Sequence, residues 1–101
     1  MEIRITKSDN RASLFLAGRF DFNVHREFKD AYSSLLADAT VQVIGINLFG
    51  VDYLDSSALG MLLMLRERAA TAGKQVSLEK PNATVVRILE IAKFDKLFQI
   101  T

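Results

Sequence analysis

The stretch VQVIGINLFGVDYLDSSALGMLLMLRERAATAG, residues 41–73, decides the fold of this chain. Residues 41–48 are apolar at almost every position and rich in β-branched side chains, a pattern typical of a central strand that is covered on both faces. Residues 49–55 follow as a loop, and the pattern predicts a helix over 56–72 that ends at Gly73. A buried strand, a loop and a long helix in this order predict a βα unit.

A hairpin and a further helix are predicted before this unit. Apolar and polar residues alternate over 3–6 and again over 12–16, and the turn residues 8–11 lie between the two runs. This alternation predicts an antiparallel hairpin. Asn23 is then the predicted N-cap of a helix. The apolar positions of that helix are Val24, Phe28, Ala31, Tyr32 and Leu35.

The end of the chain continues the alternation of strands and helices. Residues 75–78 form a short predicted strand, Pro81 and Asn82 open a third helix, and the Phe and Leu side chains of 94–98 are predicted to close the core. The apolar positions of the third helix are Val85, Ile88, Leu89 and Ala92. We therefore predict an α/β fold, a single domain over residues 1–101. It has a mixed β-sheet with a leading antiparallel hairpin, parallel βαβ units with right-handed crossovers, and helices packed against the sheet.

Composition and charge exclude several classes of protein. Half of the 101 residues are apolar, which excludes intrinsic disorder, and the net charge of +1 argues against nonspecific nucleic-acid binding. The absence of Cys excludes disulfides, thiolate zinc sites and a Cys nucleophile. The longest apolar run, residues 61–65, is too short to span a bilayer, and the first residues lack the pattern of a signal peptide. We expect a cytoplasmic protein that binds neither a membrane nor nucleic acid.

Two hydroxyls lie where the predicted loop meets the long helix. Either Asp55 or Ser56 caps that helix by accepting a hydrogen bond from a backbone N–H two or three residues further on. In both cases Ser56 lies at the positive end of the helix dipole, where free N–H groups can receive a phosphate. Phosphorylation there would add about −1.5 to −2 charge next to Asp55 and near Asp52. The two hydroxyls are therefore either part of a simple cap or the site of a binding switch.

The long helix is apolar over much of its circumference. One stripe is suited to packing on the sheet and consists of Ala58, Met61, Leu62, Leu65, Ala69 and Ala72. A second stripe consists of Leu59, Leu63 and Ala70, and Met64 lies among polar residues on the side expected to face solvent. Such a helix is either deeply buried or exposes Leu59 and Met64 near Ser56, as an adaptable docking site would.

The residues around this junction resemble those of a known family. The run Asp55-Ser56-Ser57-Ala58-Leu59-Gly60 after an apolar strand, with Gly18-Arg19-Phe20-Asp21 earlier in the chain, is similar to the STAS domain of bacterial anti-sigma factor antagonists. The resemblance covers essentially the whole chain. One residue departs from the family pattern, because Ala58 stands where Gly is most common, and Ala favours a helix over Gly by roughly 1 kcal/mol.

The resemblance implies a partner-switching mechanism. In that family the unphosphorylated antagonist binds an anti-sigma factor, usually a serine kinase with a histidine-kinase-like ATPase fold, and thereby frees a sigma factor. The kinase phosphorylates the Ser that follows the motif Asp, here Ser56, and a PP2C-type phosphatase reverses the modification. Ser57 matches a neighbouring hydroxyl that is not normally the acceptor. The expected partner-binding residues are Asp21, Asp55, Ser57, Leu59 and Met64.

Two other functions are compatible with parts of the sequence. A hydrolase that uses Ser56 as nucleophile would need a partner such as His25, but the chain lacks Gly-x-Ser-x-Gly and its only His precedes the serine. A STAS subunit of a transport or signalling assembly would use the fold without phosphorylation, and the run Asp55-Ser56-Ser57 argues against it. His25 has no Cys or paired Glu at ligand spacing, so no metal site is predicted. We expect a monomer that is not an enzyme and uses no cofactor.

Overall fold

The strands of this protein follow one another across one sheet in the order in which they occur in the chain. The structure, a computed structural model, describes residues 1–101. The strands are β1 (Glu2–Ser8), β2 (Arg11–Phe20), β3 (Val43–Leu54), β4 (Gln75–Glu79) and β5 (Gln99–Ile100), and the sheet order is β1-β2-β3-β4-β5. The α-helices are α1 (His25–Leu36), α2 (Ser56–Thr71) and α3 (Ala83–Ile91), and two 3-10 turns span Phe22–Val24 and Phe94–Lys96.

All three α-helices lie on the same face of the sheet. β1 pairs antiparallel with β2, and all other neighbouring strands pair in parallel. Each parallel connection moves one strand further in the same direction, so right-handed crossovers place every helix on one side. A single cluster of 22 buried residues fills the space between this face and the helices. The predicted α/β fold, with its mixed sheet, leading hairpin and parallel βαβ units, is confirmed.

The other face of the sheet carries no helix, so the prediction that the central strand is covered on both faces is wrong. Ile44, Ile46 and Leu48 of β3 are fully buried on the helix side. Gly45 and Asn47 alternate with them and face the open side. Their pairing partners on the neighbouring strands are Ser13, Phe15, Ser77 and Glu79. The sequence of β3 resembles a fully covered strand because glycine and one Asn interrupt the apolar run only weakly.

Gly45 allows an ion pair to cross this open face. Arg11 of β2 and Glu79 of β4 form a salt bridge although β3 lies between their strands. A Cβ at Gly45 would lie 2.7 Å from the Glu79 carboxylate, so a larger residue would displace it. Arg11 also donates a hydrogen bond to the hydroxyl of the buried Ser77, at 3.3 Å. The strands on either side of β3 are therefore joined to each other by side chains.

β3 is longer than the sequence predicts, and the predicted loop over 49–55 is wrong. The strand continues to Leu54 because its last residues pair with 17–20 of β2, after one irregularity in the register and across a second one. Gly18, with φ of +105°, adopts a backbone conformation at this irregular stretch that other residues rarely reach. Val51 is fully buried and holds the extension against the core. A single residue, Asp55, therefore separates the end of β3 from the start of α2.

The start of α1 also differs from the prediction. Asp21, and not Asn23, is the capping residue, because its Oδ1 accepts a hydrogen bond from the Asn23 N–H at 2.9 Å and opens a 3-10 turn. α1 begins at His25 without a side-chain cap. Asp and Asn are about equally good at an N-cap, so the sequence alone did not distinguish them. The additional turn leaves the Phe22 side chain 64% exposed.

The C-terminal end of α2 and the start of α3 agree with the prediction from the sequence. α2 ends at Thr71, and Gly73 has the positive φ, +74°, expected of the residue that terminates a helix. Asn82 caps α3 by accepting a hydrogen bond from the Val85 N–H at 2.9 Å. Its amide also donates to the carbonyl of Val51 at 2.7 Å, which fixes the start of α3 against β3.

The C-terminal segment closes the core with fewer residues than predicted. Phe94 and Phe98 are buried and stack with ring centroids 5.3 Å apart. Leu97 is exposed, so the prediction that it joins the core is wrong. Its carbonyl instead accepts a hydrogen bond from Arg66 Nε at 2.8 Å, which ties the segment to α2. The following β5 is only two residues long and was not predicted.

Asp38, in the connection between α1 and β3, ties distant parts of the chain together. Its carboxylate accepts hydrogen bonds from Lys7 Nζ at 2.7 Å and from the Thr40 N–H at 2.9 Å. Its backbone carbonyl accepts one from Lys74 Nζ at 2.8 Å. The hydrogen bond from Lys7, followed by those from Thr40, holds the pKa of Asp38 well below its usual value of 3.8.

We predict that Asp38→Asn lowers the free energy of unfolding at neutral pH. The variant should also lose less of that free energy than wild type does when the pH is lowered into the acid range. Because the pKa of Asp38 is lowered in the folded chain, the unfolded chain binds more protons in acid. The stabilisation is therefore present above the usual pKa of Asp and is lost as the pH falls through the folded value. Urea unfolding of wild type and variant over a range of pH measures the difference.

Asp30→Asn is the matched control, because Asp30 is exposed on α1 and takes part in no salt bridge. The stability difference between wild type and Asp38→Asn should shrink toward acid, whereas Asp30→Asn should change little at any pH. A difference for Asp38→Asn that stays constant with pH would contradict the assigned role of its charge.

Candidate functional site

The candidate site lies at the carboxyl ends of β2 and β3. Phe20 and Leu54 are paired in register as the last residues of these two strands. The N–H of Asp55 donates a hydrogen bond to the carbonyl of Phe20 at 3.3 Å, one residue beyond the ladder. Asp21 and Asp55 are therefore the next residues on two neighbouring strands. This edge of a parallel sheet is where ligands and partners usually bind.

Asp55 is the cap of α2. Its Oδ1 accepts a hydrogen bond from the Ala58 N–H at 2.9 Å, and its carbonyl accepts the first intrahelical bond, from the Leu59 N–H at 3.1 Å. Of the two caps that the sequence allowed, Asp55 is the one used and Ser56 is not. Ala58, the residue that departs from the family pattern, is fully buried, so its methyl group forms part of the core.

The two serines occupy the first two positions of α2 and differ in their surroundings. Ser56 is exposed, and its hydroxyl forms no hydrogen bond within the protein. Ser57 is half-buried. The N–H groups of both residues lie in the first turn, where a helix leaves its donors without intrahelical partners. Since Asp55 supplies the cap, the Ser56 hydroxyl can be modified without loss of a structural hydrogen bond.

Asp21 is brought beside this helix start, but its charge is already partnered. Arg19 Nε donates to Asp21 Oδ2 at 3.0 Å, and the Asn23 N–H donates to the other oxygen. The same Arg19 guanidinium lies over the Tyr53 ring, 4.2 Å from its centroid. Asp21 therefore fixes the turn that follows β2, and its side chain is largely buried at the edge of the site.

The outer face of α2 exposes apolar side chains, as an adaptable docking site requires. Met64 is 45% exposed, in agreement with its predicted position on the solvent side. Leu59 is only partly exposed and packs against the core. Leu63, which belongs to the same predicted stripe as Leu59, is 39% exposed and therefore presents more apolar surface than Leu59 does.

A groove between α1 and α2 adjoins the site, and the sequence did not predict it. Its volume is about 390 Å³. The residues that line this α1–α2 groove are Phe22, His25, Phe28, Lys29, Tyr32, Ser57, Gly60, Met61, Met64 and Arg68. Phe22 stacks face to face on His25, with ring centroids 5.2 Å apart. An apolar residue between two polar ones, Asp21 and Asn23, was the only signal in the sequence for this exposed ring.

Several kinds of site do not form in this structure. No group of three or more His, Cys, Asp or Glu side chains lies close enough together to hold a metal ion. His25 forms no hydrogen bond with Ser56 or Ser57, and its ring is stacked on Phe22. None of the α-helices has the length and apolar character needed to cross a membrane.

Comparison with known sequences identifies relatives over nearly the whole chain. The family described as "Mlab, STAS domain" matches residues 3–99. A STAS-domain containing protein of Pseudomonas aeruginosa (strain UCBPP-PA14) is 43% identical over 86 residues, which are 85% of this chain and 83% of that protein.

Solved structures share the fold. An anti-sigma factor antagonist from Mycobacterium paratuberculosis has a TM-score of 0.86 at 18% identity, over 98% of this chain and 83% of that chain. The Bacillus cell fate determinant SpoIIAA in its phosphorylated form has a TM-score of 0.76 at 15% identity, over 99% of this chain and 91% of that chain. A sulfate transporter family protein from Wolinella succinogenes has a TM-score of 0.78 at 16% identity, over 90% and 75%.

We predict that Asp55→Ala destabilises the protein and Asp55→Asn does not. Alanine removes the oxygen that accepts the Ala58 N–H, and the loss of an N-cap costs about 1 kcal/mol. Asparagine keeps an oxygen at the same place and is an equally good cap. Urea unfolding of the two variants separates the capping role of Asp55 from its charge. Equal stability of Asp55→Ala and wild type would contradict the capping role.

Proposed function

Because this chain belongs to the STAS-domain family, we propose that it is an anti-sigma factor antagonist that acts by partner switching. The unphosphorylated monomer binds an anti-sigma factor in the cytoplasm and thereby releases a sigma factor. That anti-sigma factor is a serine kinase with a histidine-kinase-like ATPase fold, which phosphorylates Ser56 and so abolishes binding. A PP2C-type phosphatase restores the unmodified form.

The observation that carries this proposal is the free hydroxyl of Ser56. It lies at the first position of α2, exposed and without a hydrogen bond in the protein, next to a cap that Asp55 already supplies. A kinase can reach such a hydroxyl without unfolding the helix. Ser57 is half-buried in the α1–α2 groove and is the poorer acceptor of the two.

A phosphate at Ser56 would change the surface far more than the fold. The N–H groups of Ser56 and Ser57 can donate to phosphate oxygens, and the positive end of the helix dipole favours the added charge. The same charge, about −2, lies beside Asp55 and Asp21 on a chain whose net charge is only +1. A partner that accommodates the neutral hydroxyl therefore meets a local excess of negative charge.

The surroundings of Ser56 suit a protein partner better than a hydrolytic reaction. Apolar surface is exposed by Phe22, in the turn before α1, and by Leu63 and Met64, about 11–12 Å along α2 from Ser56, as docking surfaces do. No base is hydrogen-bonded to the serine, because His25 stacks on Phe22 instead. The proposed contact is surrounded by Asp21, Asp55, Ser57 and Leu59. Leu59 contributes by packing against the core.

A second candidate is a STAS subunit of a transport or signalling assembly that is never phosphorylated. The fold shared with a sulfate transporter family protein at a TM-score of 0.78 favours this candidate. The two functions differ in what they require of Ser56, because a constitutive subunit has no need of a modifiable hydroxyl. Changing that residue therefore distinguishes them.

We predict that Ser56→Glu binds the partner kinase at least tenfold more weakly than wild type, whereas Ser56→Ala binds normally. The glutamate carries negative charge at the position of the phosphate, and an acid in the first turn favours the helix, so the variant stays folded. Immobilised wild type, Ser56→Ala and Ser56→Glu are first compared without ATP for retention of proteins identified by mass spectrometry. ATP is then added to the retained complexes to label the acceptor.

Ser57→Ala is the matched control, since it removes the neighbouring hydroxyl only. It should bind and be phosphorylated like wild type. Equal retention of the same partner by wild type and Ser56→Glu would overturn the switch and favour the constitutive subunit. Phosphate found on Ser57 alone would overturn the assignment of the acceptor.

A further inference from the structure

The α1–α2 groove combines an apolar interior with positive charge on both of its walls. Phe28 and Tyr32 are buried beneath it, and Met61, Met64 and Phe22 line it with partly or largely exposed apolar surface. Its volume of about 390 Å³ lies within the range of small-molecule sites, roughly 300–1,000 Å³. The α2 positions that line it extend along about 16 Å of helix. The groove is therefore long, narrow and mostly apolar.

The cations of the groove have no partner within the protein. Lys29 on α1 and Arg68 on α2 form no salt bridge and no side-chain hydrogen bond, and no acidic residue lines the groove. The arginines on the open side of the sheet are different, because Arg4, Arg11 and Arg19 all form salt bridges with carboxylates. The groove thus retains an excess of positive charge next to apolar surface.

Gly60 keeps the groove open. It lies in the second turn of α2, inside the helix, where glycine weakens a helix relative to alanine. A Cβ built there would meet nothing within 4 Å, so no contact inside the protein requires glycine at this position. Gly18 and Gly73, by contrast, have positive φ and need glycine for their backbone. The space above Gly60 is therefore available to a molecule from outside the chain.

We propose that the α1–α2 groove binds a medium-chain fatty acid anion. Its unbranched tail fits a long apolar groove whose thioether side chains adapt to flexible ligands. Its single carboxylate matches the unpaired Lys29 and Arg68, since guanidinium groups bind carboxylates through paired hydrogen bonds. The small volume, with a lining drawn only from α1, α2 and the turn before α1, suits such a ligand better than a protein segment. The proposal does not require phosphorylation of Ser56, although Phe22, Ser57 and Met64 belong both to the groove and to the proposed partner contact.

The ligand chemistry is tested with decanoate on the full wild-type chain, below the concentration at which decanoate forms micelles. We expect saturable binding by calorimetry, with amide NMR shifts concentrated at the groove residues. Decanol, which lacks the charge, should bind at least tenfold more weakly. Hexanoate should also bind at least tenfold more weakly, because each buried methylene contributes about fourfold in affinity. Absence of saturable decanoate binding, or equal affinity for decanol, would overturn the proposal.

The location is tested with three variants and one control. Gly60→Leu fills the groove and should abolish decanoate binding, while its thermal stability equals or exceeds that of wild type because leucine favours helix over glycine. Lys29→Gln and Arg68→Gln should each weaken decanoate binding about tenfold and leave decanol binding unchanged. Arg26→Gln removes an exposed cation of α1 outside the groove and should change neither decanoate binding nor decanol binding. Wild-type affinity in Gly60→Leu or in both charge variants would show that decanoate binds elsewhere.

Discussion

The pairing of β2 with β3 to their last residues is the constraint on which the rest of the site depends. Because Phe20 pairs with Leu54 and its carbonyl accepts the Asp55 N–H, both strands end at the same level of the sheet. Asp21 and Asp55 then follow on neighbouring strands, and each caps the helical turn that begins there. If β3 ended at residue 48, as its apolar pattern indicates, Asp55 would lie on a loop and would have no fixed position relative to Asp21.

Two different residues hold the structural and the proposed functional role at the start of α2: Asp55 caps the helix, and Ser56 is the proposed phosphoacceptor. Asp55 satisfies the helix start with its side chain, so the fold makes no demand on the hydroxyl of Ser56. The modification proposed here acts on a group that contributes no hydrogen bond to the folded chain, at the helix end that tolerates negative charge best. The α1–α2 groove extends from this same helix start, so Ser57 and Gly60 connect the two surfaces along one helix.

Local chemistry made part of this structure predictable from sequence. Asn82 and Gly73 act as predicted because capping and helix termination depend on one or two residues. Features that depend on distant partners were not predictable: the extension of β3 needs the β2 register, and the bare sheet face follows from the order of the crossovers. The choice of Asp21 over Asn23 as cap also depends on where β2 ends. The groove needs the packing of α1 on α2, which no single segment encodes.

The proposed switch requires that a phosphate on Ser56 change what the protein binds and not how it folds. Incorporation of phosphoserine at position 56, and separately at 57, followed by titration with the purified partner kinase and by urea unfolding, tests this directly. We expect binding to be lost only for phosphoserine at 56, with a free energy of unfolding within about 0.5 kcal/mol of the unmodified chain. Retained binding with phosphoserine at 56, or loss of binding accompanied by unfolding, would contradict it.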